Sequence, residues 1–277
     1  MFCYHVTDLH GKTELYDKLA NEIINEKPQA VFIGGDISSA LSSKSNRHFF
    51  TDYLTTLFKK IISGSGSKIF IILGNDDPAE YESYLKDMDN DGLVCYIHGR
   101  MVEYLEHKIF GYAFVPPTPF LMKDWEKYDV SRYVDPGTVS PEEGYRTIKV
   151  APNIVRFSTI TDDLKILTVD ENLQNSIFLF HTPPYKTNLD RAANDGKMFE
   201  HVQLDLNVGS IAVRKFIENK QPLVTLHGHI HESARLTGSW KDMIGSTYCF
   251  SAAHDGSELA IVKFDTANPG DAVRVLV

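Results

Sequence analysis

Apolar positions along the chain recur in two rhythms. Unbroken runs at Phe2 to Val6, Ala30 to Ile33, Ile69 to Leu73, Ser176 to Phe180 and Pro222 to Leu226 have the length and bounded ends of buried strands. Helical periods lie between the first three. Leu15, Leu19 and Ile23 share one face of a helix expected over Thr13 to Glu26. The pairs Phe49/Phe50, Tyr53/Leu54, Leu57/Phe58 and Ile61/Ile62 give the next helix a broad apolar stripe. Its expected end, Gly64-Ser65-Gly66-Ser67, precedes a strand and lacks a Walker lysine, so it reads as a turn and not a phosphate loop. Strand and helix in alternation imply right-handed crossovers and a parallel sheet.

The second half changes character. Met101 to Ala113 reads as a hairpin, while Thr159 to Val169 and Ile211 to Glu218 read as helices. Tyr248 to Ala252, Glu258 to Phe264 and Ala272 to Val277 follow as strands, with Asp255-Gly256 expected to turn the first of them back on the second. Parallel strands first and antiparallel strands last point to two facing sheets flanked by helices. Tyr112 to Val150 resists the scheme, since it mixes Pro116, Pro117, Pro119, Pro136 and Pro141 with many aromatics and holds no period. A packed, cap-like insertion at about 112–150 is expected there, within a single domain spanning 1–277.

The formal charge of −9 excludes a surface built to hold nucleic acid or anionic lipid by general electrostatics, so an anionic substrate would need a local positive site. Cys3, Cys95 and Cys249 are odd in number, far apart and set in apolar runs, which reads as reduced packing residues and a cytoplasmic protein. No apolar run approaches the length of a membrane span, and the opening MFCYHV reads as a strand instead of a leader.

The chemistry gathers where apolar runs end. The Pro222 to Leu226 run is followed by His227, His229 and His231, three imidazoles in five residues. In an extended chain positions i and i+2 share a side, so His229 and His231 are expected to converge. Asp8 and His10 follow the first run, Asp36 the second, Asn75 and Asp76 the third, and His181 the Ser176 to Phe180 run. Singly, each has a plain role as helix cap, turn former or packed side chain. Together they are expected as neighbours, because the carboxyl edge of a parallel sheet is where such loops form a crevice. Carboxylate, amide oxygen and imidazole suit manganese, iron, zinc or a mixed pair, and are too rich in nitrogen for a calcium cage. Seven candidate ligands exceed what one tetrahedral ion uses, so two ions sharing a carboxylate are the economical arrangement.

The ordered set DLH, GGD, GND, H and GHIH, from Asp8 to His231, resembles the calcineurin-like metallophosphoesterases, whose pattern runs D-x-H, G-D, G-N-[HDE], H and G-H-x-H. HGHIHES with a helix before it is most similar to the prokaryotic branch related to the cyclic-nucleotide phosphodiesterases. The resemblance implies an α/β fold, a four-layer αββα sandwich of two mixed sheets flanked by helices. It implies two divalent metal ions, manganese first, with iron, zinc or nickel as alternatives. Asp8, His10, Asp36 and His231 would hold one ion, and Asp36, Asn75, His181 and His229 the other, with Asp36 bridging. Asp36, Asn75, Asp76 and His229 would serve the chemical step.

Two such ions outweigh two ligand carboxylates and leave the site positive, a local trap for phosphate on an acidic protein. Ions sharing a water lower its pKa and present hydroxide in line with phosphorus. Many members carry histidine after the Gly-Asn pair, where it can protonate the leaving oxygen. Asp76 stands there instead, an ordinary aspartate ionised at neutral pH, and is expected to orient a ligand while poor leaving groups depart with little help. The expected activity is therefore a phosphoric ester hydrolase leaning to phosphodiesters, with a phosphomonoesterase and a non-catalytic protein-binding scaffold of the same fold as alternatives. A metal-dependent amidohydrolase would want H-x-H at the first strand and an eight-stranded barrel. The expected partner is a small phosphate ester, of which a nucleotide is one form, with no general nucleic-acid binding and no membrane. His227 reads equally as a residue supporting a ligand and as a packed strand-end histidine, while His254, Arg132, Arg146, Lys186 and Arg191 are weaker candidates, better read as turn or solvated surface residues.

Overall fold

The computed structural model describes residues 1–39, 47–169 and 172–277. Strands β1 (Phe2–Val6), β2 (Ala30–Gly34), β3 (Lys68–Ile72) and β4 (Cys95–Tyr96) run parallel in one sheet. Beyond β1 the antiparallel strands β13 (Ala260–Asp265) and β14 (Val273–Leu276) extend it, giving the order β14-β13-β1-β2-β3-β4. A second sheet has β6 (His107–Tyr112), β7 (Ser176–Phe180), β10 (Val224–His227) and β12 (Thr247–Ser251) parallel at its centre. Antiparallel β5 (Met101–Tyr104) and β11 (Lys241–Ile244) close its two edges. A two-residue pair, β8 (Met198–Phe199) with β9 (Val202–Gln203), stands apart.

Helix α1 (Thr13–Glu26) buries Leu15, Tyr16, Leu19, Ala20 and Ile23, as its period requires. The aromatic pairs at 49–54 wind as a π-helical turn that leads into α2 (Thr55–Ser65). With α3 (Glu82–Asn90), these pack against the first sheet in a core that also takes Ile177, Leu179, Val224, Leu226 and Phe250 from the second. The two sheets therefore share one interior. After the short helix α4 (Pro152–Phe157), α5 (Ile160–Leu167) and α6 (Ile211–Lys220) cover the far side of the second sheet, where Ile160, Leu164 and Phe216 meet Phe110, Phe178 and Phe180. Each such side chain contributes roughly 1.5–3 kcal/mol on burial. The result is two mixed six-stranded sheets flanked by helices, as expected. Among the described residues no helix is long and apolar enough to cross a membrane.

The expected hairpin at Asp255-Gly256 does not form. β12 pairs with β10 and β11 in the second sheet, whereas β13 pairs with β1 and β14 in the first, so the dipeptide lies in a crossing between sheets. Turn chemistry was correct for a reversal but said nothing about which sheet each strand joins. Helix α3 carried no usable signal, because Leu85 and Met88 are its only buried residues.

Residues 113–151 form no long helix or strand and are held by side chains. Lys123 and Glu126 pair at 2.5 Å with both side chains fully buried, and Thr118 donates to the same carboxylate through its backbone N–H and its hydroxyl. Asp124 accepts from the backbone N–H groups of Ala79 and Thr147. Asp129 accepts from Ser210 Oγ and from the Ile211 and Ala212 N–H groups at the start of α6, where an anion also meets the helix dipole.

Candidate metal centre

Both sheets end their parallel strands at the same edge. Register keeps the first three ends level, with Val6 opposite Ile33 and Gly34 opposite Ile72, and in the second sheet Leu226 lies opposite Leu179. Asp8, His10, Asp36, Asn75 and Asp76 thus arrive from one sheet, and His181, His229 and His231 from the other. Backbone bonds lock the loops together: Asp8 N–H donates to Gly35 O at 3.0 Å, His10 N–H to Asp36 O at 2.8 Å and Gly228 N–H to His181 O at 2.9 Å. Asp8, His10, Asp36 and His229 all take positive φ, between 45° and 72°. That conformation costs a non-glycine residue about 1 kcal/mol, and its clustering here marks a place where side-chain direction overrides local preference.

Donor atoms of Asp8, His10, Asp36 and His231 lie within 4.8 Å of one another, and so do those of Asp36, His181 and His229. Asp36 belongs to both groups. Asn75 joins the second, its Oδ1 3.0 Å from His181 Nε2, which is also 3.3 Å from Asp36 Oδ2. His181 Nδ1 faces Gly34 O at 2.8 Å, so that nitrogen carries a proton and Nε2 is directed inward, the usual second partner of a metal-binding imidazole. His10 Nε2 and His231 Nε2 approach to 3.3 Å, a separation that two bare lone pairs do not tolerate without a cation or proton between them. The donor set and its directions fit a pair of divalent cations.

Electrostatics carry the same message. Burial opposes charge on His181, but the carboxylates of Asp36 and Asp8 outweigh it and hold the imidazolium up to about 10. His231 is likewise opposed by burial and raised by Asp8 to about 9. Burial works against ionisation of Asp8 and Asp36 too, yet His231 and His181 keep both below the usual range. His229 is pushed down to about 3 by burial and by His181, and so is neutral. Protons stand in for cations among these groups.

Asp76 donates its backbone N–H to Asp36 Oδ1 at 2.8 Å and accepts from Asn75 Nδ2 at 2.9 Å, which turns Asn75 Oδ1 toward His181. Burial and then Asp36 raise its pKa. Sequence reasoning passed over Asp77, which accepts from Ile37 N–H, Gly74 N–H, Ser38 N–H and Ser38 Oγ and so ties the Asp36 loop to the Asn75 loop. Burial, reinforced by Asp36, pushes it up to about 7 against those donors. His5 was also missed. It spans the two sheets with Nε2 2.9 Å from His227 O and Nδ1 3.3 Å from Phe32 O, and a lone histidine in an apolar run gave no sign of this.

His229 and His231 do enter the site, but not by strand alternation. The strand ends at His227, and the left-handed turn at His229 sends the two imidazoles to different donor groups. His227 is a packing residue: it stacks on Phe180 and bonds to Thr182 O and Thr225 Oγ1. His254 pairs with Glu258, Arg132 with Glu142 and Arg191 with Asp195, while Arg146 donates to Pro141 O. Lys186 places its ammonium over the Tyr185 ring.

No curated protein sequence matches the chain. Among solved structures, one superposes with a TM-score of 0.66 at 16% identity, covering 99% of this chain and 98% of its own. A protein from Thermus thermophilus gives 0.59 at 15% identity over 99% and 98% of the two chains. A dimetal phosphatase from Danio rerio gives 0.53 at 12% identity over 95% and 91%. These likenesses establish the fold. Residues 3–233, which contain every donor described above, match the family model for calcineurin-like phosphoesterases, and the chain belongs to that family.

Proposed function

We propose that this chain hydrolyses phosphate esters at a centre holding two divalent cations, manganese first among them. Asp8, His10, Asp36 and His231 would hold one, and Asp36, Asn75, His181 and His229 the other. The observation that carries this reading is the membership of Asp36 in both donor groups, which supports a shared carboxylate. When bound, such a pair supplies Lewis-acid stabilisation of the phosphoryl oxygens and a lowered pKa for water.

The chain's own residues prepare the place. Gly34 O fixes the His181 tautomer, Asp76 turns the Asn75 amide, and the Asp77 carboxylate binds the two loops together. Asp76 also supports the lean toward diesters. It occupies the position from which an imidazole would protonate the leaving oxygen, and its carboxylate is engaged with Asn75 and lies 3.6 Å from His10 Nδ1. Esters with good leaving groups are then the better substrates, and the lean to diesters follows from the resemblance of members without that histidine to phosphodiesterases. The free, buried cysteines support the cytoplasm as the protein's location.

Metal analysis combined with Asp36→Asn tests the proposal. The wild-type protein should carry about two manganese ions and hydrolyse bis(4-nitrophenyl) phosphate faster than 4-nitrophenyl phosphate. The variant should lose metal and about a thousandfold in kcat/KM, roughly 4 kcal/mol of transition-state stabilisation. A fully active variant without bound metal would end the proposal, and a clear monoester preference would reverse the diester assignment.

A further inference from the structure

Beside the centre lies a cavity of about 370 Å³, with His229 and Ile230 in its wall. Its other walls come from the 116–138 part of the irregular segment, from residues between 185 and 211, and from Glu232. Hydrocarbon and aromatic surface from Phe120, Tyr133, Tyr185 and Leu204 faces it, a lining suited to a small organic group. Four carboxylates also line it, those of Asp129, Asp135, Asp205 and Glu232, and among the described residues no lysine or arginine does. For a protein acting on anions, that charge pattern is unexpected.

The four acids are not equivalent. Asp129 is taken up by the start of α6, and Glu232 accepts from Ala193 N–H. Asp205 accepts from the Tyr185 hydroxyl at 2.6 Å and from Asn207 N–H. Asp135 makes no side-chain hydrogen bond among the described residues, and none of the four forms an ion pair there. Burial and the neighbouring Asp205 raise the pKa of Asp135, as expected of like charges sharing a space without a counterion.

We infer that this cavity receives the alcohol part of the ester, and that it selects an alcohol carrying an ammonium group over one carrying further negative charge. The inference rests on the phosphoesterase reading above, with the phosphoryl group at the His229 side. A cation there would relieve the repulsion between Asp135 and Asp205 and would lie against the exposed Tyr133 ring, which attracts positive charge through its face, whereas the Tyr185 ring already carries the Lys186 ammonium. A second phosphate or a carboxylate on the alcohol would meet four acids and, among the described residues, no base in the lining, the Lys186 ammonium being held over the Tyr185 ring. Asp135 and Asp205 are exposed, and solvent screening keeps the expected preference modest.

Calorimetric titration of the manganese-loaded full chain should show choline phosphate binding about tenfold more tightly than 3,3-dimethylbutyl phosphate, its isostere without the ammonium charge, and the phosphate ester of 3-hydroxypropionate binding more weakly than either. In Asp135→Asn/Asp205→Asn the ratio between the first two should fall to near one. If that variant does not fold, Asp135→Asn alone should lower the ratio, since this side chain holds nothing else in place. Equal affinities in the wild-type protein, a preference for the carboxylate, or a ratio unchanged by the substitutions would overturn the inference. Choline against 3,3-dimethylbutanol on the metal-free chain separates the two readings. A preference that persists there while no ester is hydrolysed would condemn the phosphoesterase reading alone, and hydrolysis without any preference would condemn the cavity reading alone.

Discussion

Gly74→Ala adds one methyl group at the tightest point of the site. The backbone of Gly74 is not left-handed, so alanine meets no conformational obstacle and the whole effect is one of space. A Cβ there would overlap Asp36 Oδ1, lie 2.5 Å from Asp36 N and 2.7 Å from His181 Cε1. Two of these atoms belong to the donors of the second group and the third to the backbone beside them. Relief therefore requires the Asn75 loop to separate from Asp36 and His181 by about 1 Å. Overpacking of this kind costs about 1–3 kcal/mol, which in a chain of this size lowers Tm by several degrees. The loss in function is larger, because a displacement of about 1 Å at reacting groups costs about a hundredfold in rate. Metal content by plasma mass spectrometry, kcat/KM on bis(4-nitrophenyl) phosphate and Tm would be read together. Gly238→Ala is the control: its Cβ meets nothing within 4 Å and only its φ of 75° is strained, so it should cost about 1 kcal/mol without touching metal content. A Gly74→Ala protein with wild-type metal content and activity within threefold would refute the account of close packing at the centre.

Proton linkage supplies another prediction. His181 and His231, held at about 10 and 9, are both charged in the metal-free protein at pH 7.5, and both must be neutral to bind metal, so loading should release about two protons. Titration in buffers of different ionisation enthalpy counts them, and release of none would contradict the assignment. Both folded values lie above the ordinary 6.5, so their stabilisation of the metal-free fold is complete below about pH 6.5 and is lost as pH rises through 9 and 10. The Tm of chelator-treated protein should fall over that window. Away from the centre, Lys123→Met leaves the buried Glu126 carboxylate without its cation and should cost about 3–5 kcal/mol in a urea melt. Lys123→Met/Glu126→Gln should recover most of the loss, and a single variant within 1 kcal/mol of wild type would show that the pair is not a structural element.

The part of the fold carried by repeating burial was legible in the sequence. β1, α1 and β7 fall where period and run length place them, because each buries a regular face. What escaped had other causes. The partner of β13 depends on which sheet edge is open, a property of the assembled molecule. The 113–151 segment is organised by Asp124, Asp129 and the Lys123–Glu126 pair, whose partners lie up to 83 residues away and leave no period behind. At the site, residue types at strand ends were sufficient to name side chains that the structure places close together. The route by which His229 and His231 reach them was not, since it depends on a left-handed turn that no alternation rule contains. Asp77 stood beside two named candidates and was passed over because its role, receiving four donors from two loops, exists only once those loops meet.

The division of donors between the sheets has a consequence for assembly. One half of the sandwich brings both carboxylates, the amide and a single imidazole, and the other brings imidazoles alone. A chain whose halves have come apart therefore offers no complete nest for a divalent ion, and whatever settles at the junction acts as a clasp on the closed form only. Ion supply would then govern how rarely the halves part, with about 2.7 kcal/mol of extra hold when the free ion stands at a hundred times its dissociation constant.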